Sequence, residues 1–132
     1  MRKALTHGGA LWTPPILWAA AIFAGSSRPS VPLPGVPGVD LLAHAVEYLV
    51  LSLALARALA RHMARTPAPR VWAFTVLLCL LYAVTDEAHQ AFVPGRYCDP
   101  LDAAADLVGA ALAVPLSRLA LPTGLRRRLG LP

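Results

Sequence analysis

Long apolar stretches alternate with short polar ones along this chain, and four of them approach the ~20 residues a helix needs to cross a bilayer core. They cover residues 11–27, 39–60, 71–92 and 101–121. Proline and glycine gather between these stretches or near their ends, where helix breakers belong. In the first stretch, Thr13-Pro14-Pro15 is placed in the opening turn, where proline costs no helical hydrogen bond. In the fourth, Pro115 predicts a kink that neighbouring helices tolerate. The expected fold class is therefore an all-α integral membrane protein, with four transmembrane helices in a compact bundle and one domain over residues 1–132. A cleaved signal peptide is the rival reading of the first stretch, because Arg2 and Lys3 precede it and Ala24-Gly25-Ser26-Ser27 closes it. Three further stretches keep the chain in the membrane under either reading.

Composition agrees with that picture. Hydrophobic residues make up 57% and charged residues 14%, against roughly 45–50% and about 25% in soluble domains. The formal net charge of +5 raises the question of nucleic acid, and the placement of the charges answers it. Ten of the twelve basic residues lie at the amino end (Arg2, Lys3), around the middle connection (Arg57, Arg61, Arg65, Arg70) or at the carboxyl end (Arg118, Arg126, Arg127, Arg128). Lys and Arg mark cytoplasmic segments, so both termini and the middle connection are expected inside. The connections at Arg28–Gly38 and Val93–Pro100 are expected outside. The basic clusters read as topological anchors that meet anionic lipid, with no nucleic-acid partner. Cys79 and Cys98 fit neither a disulfide framework nor a zinc set by spacing, and are read as free thiols.

Ionisable residues within the predicted spans change the picture most. A charged side chain at the centre of a bilayer costs ~2.5–3.5 kcal/mol on insertion scales, yet Glu47, Asp86, Glu87 and Asp106 all fall inside spans. Facing lipid together they would cost ~10 kcal/mol, comparable with the whole stability of a typical fold. They must face one another or water. Helical periodicity allows it, since residues three, four, seven and eight apart share a face. Asp40, His44, Glu47 and Tyr48 form such a stripe on the second helix, and Tyr82, Asp86, His89 and Gln90 form one on the third, with Glu87 beside it. Asp102 and Asp106 begin the fourth, where Gly109 allows close helix approach. The three stripes predict a polar pocket between helices two, three and four, open to the outer side. The inner half offers little beyond Ser52 and Thr75, which argues against a channel.

These residues carry a resemblance. Asp40-Leu-Leu-Ala-His44-Ala-Val-Glu47-Tyr48, then Tyr82-Ala-Val-Thr-Asp86-Glu87-Ala-His89-Gln90-Ala-Phe92-Val93-Pro94-Gly95-Arg96, then Asp102…Asp106…Gly109, resemble the motifs of VanZ-like membrane proteins over residues 40–113. The resemblance implies a small multi-pass protein of the bacterial cytoplasmic (inner) membrane, in a group named for a member linked to teicoplanin resistance. Two positions depart from the pattern: Leu41 stands where such proteins usually carry Lys, and Asp106 where they usually carry Asn. Both changes make the pocket more acidic.

Three functions are compatible with the cluster. The pocket would bind the headgroup of a lipid-linked envelope component or a lipoglycopeptide, with Asp40, His44, Glu47, Tyr48, Tyr82, Asp86, Glu87, His89, Gln90, Arg96, Asp102 and Asp106 as candidate binding residues. Arg96, presented by a Pro94-Gly95 turn, would meet the anion. The alternative for Arg96 is an internal ion pair with Asp99, Asp102 or Glu87. The second function is an acid/base or metal-dependent enzyme acting on a lipid-linked substrate at the outer face. Glu87, Asp86, His44 and His89 are its candidate catalytic groups, and His44, Glu47, Glu87 and His89 its candidate metal ligands. No nucleophile signature accompanies them, and no cofactor is specified. The third is a purely structural interhelical network.

Overall fold

The computed structural model describes residues 3–29, 38–119, 123–129 and 131–132, so the Arg28–Gly38 connection is described only at its ends, and Arg2 and Leu121 lie outside the described residues. Among the described residues there are five α-helices and no strand: α1 (Lys3–Ser26), α2 (Val39–His62), α3 (Ala68–Gln90), α4 (Pro100–Leu119) and α5 (Thr123–Leu129). Three helices in these residues, α2, α3 and α4 over Pro100–Ser117, are long and apolar enough to cross a membrane.

The helix boundaries have local causes. α1 starts at Lys3 rather than at residue 11, so Pro14 and Pro15 lie inside it instead of in its first turn. Neither can donate the usual helical hydrogen bond, which would go to the carbonyls of Ala10 and Leu11. α3 starts at Ala68, ahead of the expected residue 71, because Pro67 caps it and a proline in the first turn removes a donor that has no helical partner anyway. It ends at Gln90 rather than at residue 92, where the chain turns through Phe92 N–H to His89 O and Val93 N–H to Gln90 O. α4 is capped by Asp99, whose side chain accepts from Leu101 N–H at 2.8 Å while its carbonyl accepts from Asp102 and Ala103. An acid at the cap followed by proline at the first helical position is a favourable start for a helix. The short α5 was not expected from the apolar pattern.

α2 packs on each of the other long helices, and α4 also packs on α3. Small residues permit the close approaches: Ala56, Ala58, Ala83, Ala110 and Ala113 are buried between helices. At Gly109 the requirement is absolute. A side-chain carbon there would overlap the backbone of Ala45, including its carbonyl oxygen, so only glycine lets α4 lie this close to α2. Two apolar clusters fill the interior. One joins Ile22, Tyr48, Leu51, Cys79, Ala83 and Ala110, and the other joins Ala56, Trp72 and Ala113. The buried Cys79 and the exposed Cys98 are both free thiols.

The outer surfaces of the helices are apolar. Phe74, Leu77, Leu81 and Val84 line one exposed face of α3, and Val108, Leu112 and Leu116 one of α4. Such stripes would be an aggregation hazard in water and suit acyl chains. Polar and basic groups separate along the bundle. The start of α2, the end of α3, the start of α4 and the end of α1 meet at one end, whereas Arg61, Arg65 and Arg70 border the α2–α3 connection at the other.

Candidate functional site

At the polar end, Asp86 and Glu87 are neighbours in sequence, but a helix turns 100° per residue and separates their side chains. Asp86 faces α1 and accepts from Ser26 Oγ at 2.6 Å. Glu87 faces the connection to α4 and accepts from Asp99 N–H at 2.9 Å. Gln90, one turn further on, reaches both: its amide nitrogen donates to Asp86 Oδ2 at 3.2 Å and to Glu87 Oε1 at 3.3 Å. Its amide oxygen is thereby turned toward Arg96, whose Nη1 donates to it at 3.0 Å. All three side chains of the Asp86, Glu87 and Gln90 set are buried.

Arg96 follows a tight turn in which Arg96 N–H donates to Val93 O at 3.0 Å and Gly95 has φ of 79°. Proline then glycine in the central positions is the type II arrangement, with glycine supplying the left-handed residue. Besides Gln90, the guanidinium donates from Nε to Arg28 O at 2.9 Å and from Nη2 to Gly25 O at 3.4 Å. Every one of these acceptors is a neutral oxygen. Among the described residues no carboxylate stands within ion-pair distance of Arg96, so the internal pair with Asp99, Asp102 or Glu87 is replaced by bonds to the Gly25 carbonyl of α1, the Arg28 carbonyl just beyond it and the Gln90 amide.

On the other side, His44 of α2 sits between two acids of α4, with Nδ1 3.0 Å from Asp106 Oδ1 and Nε2 3.7 Å from Asp102 Oδ2. The i, i+4 spacing of Asp102 and Asp106 places both on the face that meets α2. Asp106 is fully buried, and its second oxygen, Oδ2, has no hydrogen-bond partner. One turn below His44, the hydroxyl of Tyr48 is likewise buried without a partner.

Two adjoining cavities open at this end. The first, about 150 Å³, is lined by Ser26, Asp40, His44, Glu47, Asp86, Gln90 and Arg96 among others. The second, about 230 Å³, is lined by Asp40, Gln90, Arg96, Asp99 and Asp102 among others. Asp40, Gln90 and Arg96 belong to both and form the partition between them. The first cavity takes a wall from α1 (Ile22, Gly25, Ser26), whereas the sequence pattern drew only on α2, α3 and α4.

The expected site residues thus divide. Asp40, His44, Glu47, Asp86, Gln90, Arg96 and Asp102 line the cavities. Glu87 and Asp106 lie behind them. Tyr82 is engaged elsewhere, donating to Ala19 O at 2.7 Å, and Tyr48 packs beside it in the core with ring centroids 6.1 Å apart. His89 leaves the cluster: it stacks on Phe23 at 4.5 Å and bonds Ser27 Oγ at 3.0 Å. Of the four expected metal ligands, His44 and Glu87 come together with Asp106, whereas Glu47 and His89 are not part of that group. The cause for His89 is angular, since two residues along a helix from Glu87 is about 200° around its axis. Ser26, Ser27 and the Gly25 and Arg28 carbonyls were missed, as was the role of Asp99. The serines closing the first apolar stretch and the Asp99-Pro100 cap were the available signals.

An all-helical chain with membrane-length apolar helices and its carboxylates gathered between them is a membrane protein. More narrowly, the chain belongs to the VanZ/LLP1 family, whose family model matches residues 12–121. No curated protein and no solved structure matches it.

Proposed function

We propose that this protein crosses the bacterial cytoplasmic membrane four times, α1 included, with both termini inside and the polar end outward. There it binds the headgroup of a lipid-linked envelope component or a lipoglycopeptide, in association with resistance to glycopeptides of the teicoplanin type. The observation that carries the reading is Arg96. Its guanidinium borders both cavities and its hydrogen bonds go only to neutral oxygens, so among the described residues no close ion pair competes for the contact it can offer a phosphate or carboxylate. Asp40, Glu47 and Asp86 line the same space, which disfavours a bare anion and favours a ligand that also carries an amine. The basic residues at the opposite end support the orientation, and the bonds Ser26 to Asp86 and Tyr82 to Ala19 support α1 as a lasting part of the bundle.

Native mass spectrometry of the detergent-purified protein tests this. The wild type is expected to retain a phosphate-bearing lipid or to take up added teicoplanin, and Arg96→Ala, folded by thermal melt, is expected to lose at least about tenfold in affinity, the equivalent of about 1.4 kcal/mol. Full occupancy in folded Arg96→Ala would overturn the anion contact. The His44, Asp102 and Asp106 grouping favours a second reading, an acid/base or metal-dependent enzyme on a lipid-linked substrate. A bound lipid whose mass changes with time would move the assignment to it.

A further inference from the structure

We propose that His44, Glu87 and Asp106 form a site for one divalent metal cation. Each residue comes from a different helix, α2, α3 and α4 respectively, and each offers one ligand atom within 4.8 Å of the other two. Ligands about 2.1 Å from a zinc ion in a tetrahedron stand about 3.4 Å apart, so side-chain movements of about 1.4 Å close the trio on a cation. The distances alone do not carry the assignment, because acids gather at many surfaces without a metal.

Asp106 supplies the independent observation. Its Oδ2 is fully buried and has no partner, and a carboxylate oxygen left so in a low-dielectric interior is costly. A bound cation would satisfy that oxygen. Formal charge agrees: a neutral imidazole with two carboxylates carries −2, which one divalent ion balances. The surroundings resemble the outer partners that orient metal ligands. Asp102 stands 3.7 Å from Nε2 of His44, leaving Nδ1 directed at Asp106. Glu87 is held by Gln90 Nε2 and Asp99 N–H, and each oxygen keeps a further lone pair. The cation takes the place of the proton shared in the His44–Asp106 contact, so uptake releases up to one proton to solvent. One imidazole with two carboxylates suits zinc or manganese. The assignment does not depend on Arg96 and stands or falls apart from the anion contact there.

The test uses full-length protein in detergent, stripped with chelator, in a Cys98→Ser background that removes the exposed thiol. Equilibrium dialysis against micromolar Zn²⁺ or Mn²⁺ with elemental analysis is expected to give one equivalent per chain and a higher melting temperature. Asp106→Asn is expected to weaken uptake at least about tenfold and to remove the metal-dependent rise in melting temperature. His62→Gln, which deletes an imidazole at the far end of the bundle, is expected to change neither. Folded wild type that takes up under a tenth of an equivalent would overturn the proposal without any variant. Wild-type uptake in folded Asp106→Asn would also overturn it, or in Glu87→Gln if the former does not fold.

Discussion

At the polar end of the bundle, side chains join α1 to α3 through Ser26 and Asp86 and α2 to α4 through His44 and Asp106, while Gln90 ties Asp86 and Glu87 to Arg96 of the α3–α4 connection. At the other end Ala56, Trp72 and Ala113 pack with Leu49, Leu53, Val114 and Leu131, and the contact between rings is the edge-on meeting of Trp12 and His62 at 6.2 Å. Between them, Ser52 donates to Ala110 O at 2.9 Å, and Thr75 turns back to its own helix at Val71 O. The apolar end obtains its cohesion from close contact of small residues, which lipid cannot replace. The polar end gives up that economy and holds buried carboxylates, an arrangement that is weak evidence for stability and is more often kept for function. One end is built to pack, and on the proposed reading the other meets a ligand.

Three substitutions probe that division, beginning with the largest expected effect. Gly109→Ala drives a methyl into the Ala45 backbone where α2 and α4 bridge the two regions. A loss of about 3 kcal/mol is expected, at the upper end of overpacking costs, seen as a collapse in the yield of monodisperse protein in detergent. A melting temperature close to wild type would mean that the helices separate freely there. Gln90→Ala removes the partner shared by Asp86, Glu87 and Arg96. It is expected to cost about 2 kcal/mol through buried groups left unsatisfied, and to weaken ligand retention more than that loss explains. If thermal melts show the loss while native mass spectra show unchanged retention, the polar end is a structural network and the contrast fails. Ser52→Ala deletes one interhelical bond to a backbone carbonyl. About 0.6 kcal/mol is expected from measured bonds of this kind in membranes, a shift near the limit of a thermal melt, with ligand retention unaltered.

Much of this arrangement was legible in the chain. The 3.6-residue period placed His44 on an inward face of the second helix and Asp102 with Asp106 on one face of the fourth, because burial in an apolar helix forces acids onto the face that meets another helix; which acids His44 meets was not given by it. Pro94-Gly95 foretold the turn before Arg96, since a left-handed residue after proline admits little else. Other parts were hidden for physical reasons. α1 contributes through Ser26, Ser27 and backbone carbonyls, and a carbonyl leaves no trace in a residue pattern. Asp86 and Glu87 read as one acidic pair, yet their 100° separation sends them to different neighbours. His89 shares a stripe with Asp86 on a helical wheel but is captured by Phe23, an aromatic contact across helices that no spacing on α3 reveals. The orientation and the ligand rest on charge placement and cavity chemistry, not on contacts.

Gln90 has one property that neither an acid nor an alcohol in its place would reproduce. A side-chain amide has a head and a tail: hydrogens on nitrogen, lone pairs on oxygen. With its nitrogen committed to two carboxylates, its oxygen has one direction left, and the Arg96 guanidinium is drawn to that side. The partition between the two cavities therefore carries a fixed polarity, with the Asp86 and Glu87 carboxylates at the amide's nitrogen end and the Arg96 guanidinium at its oxygen end. A reversed amide would press oxygen against carboxylate and nitrogen against guanidinium, so the sign pattern a newcomer meets is written into a single planar group.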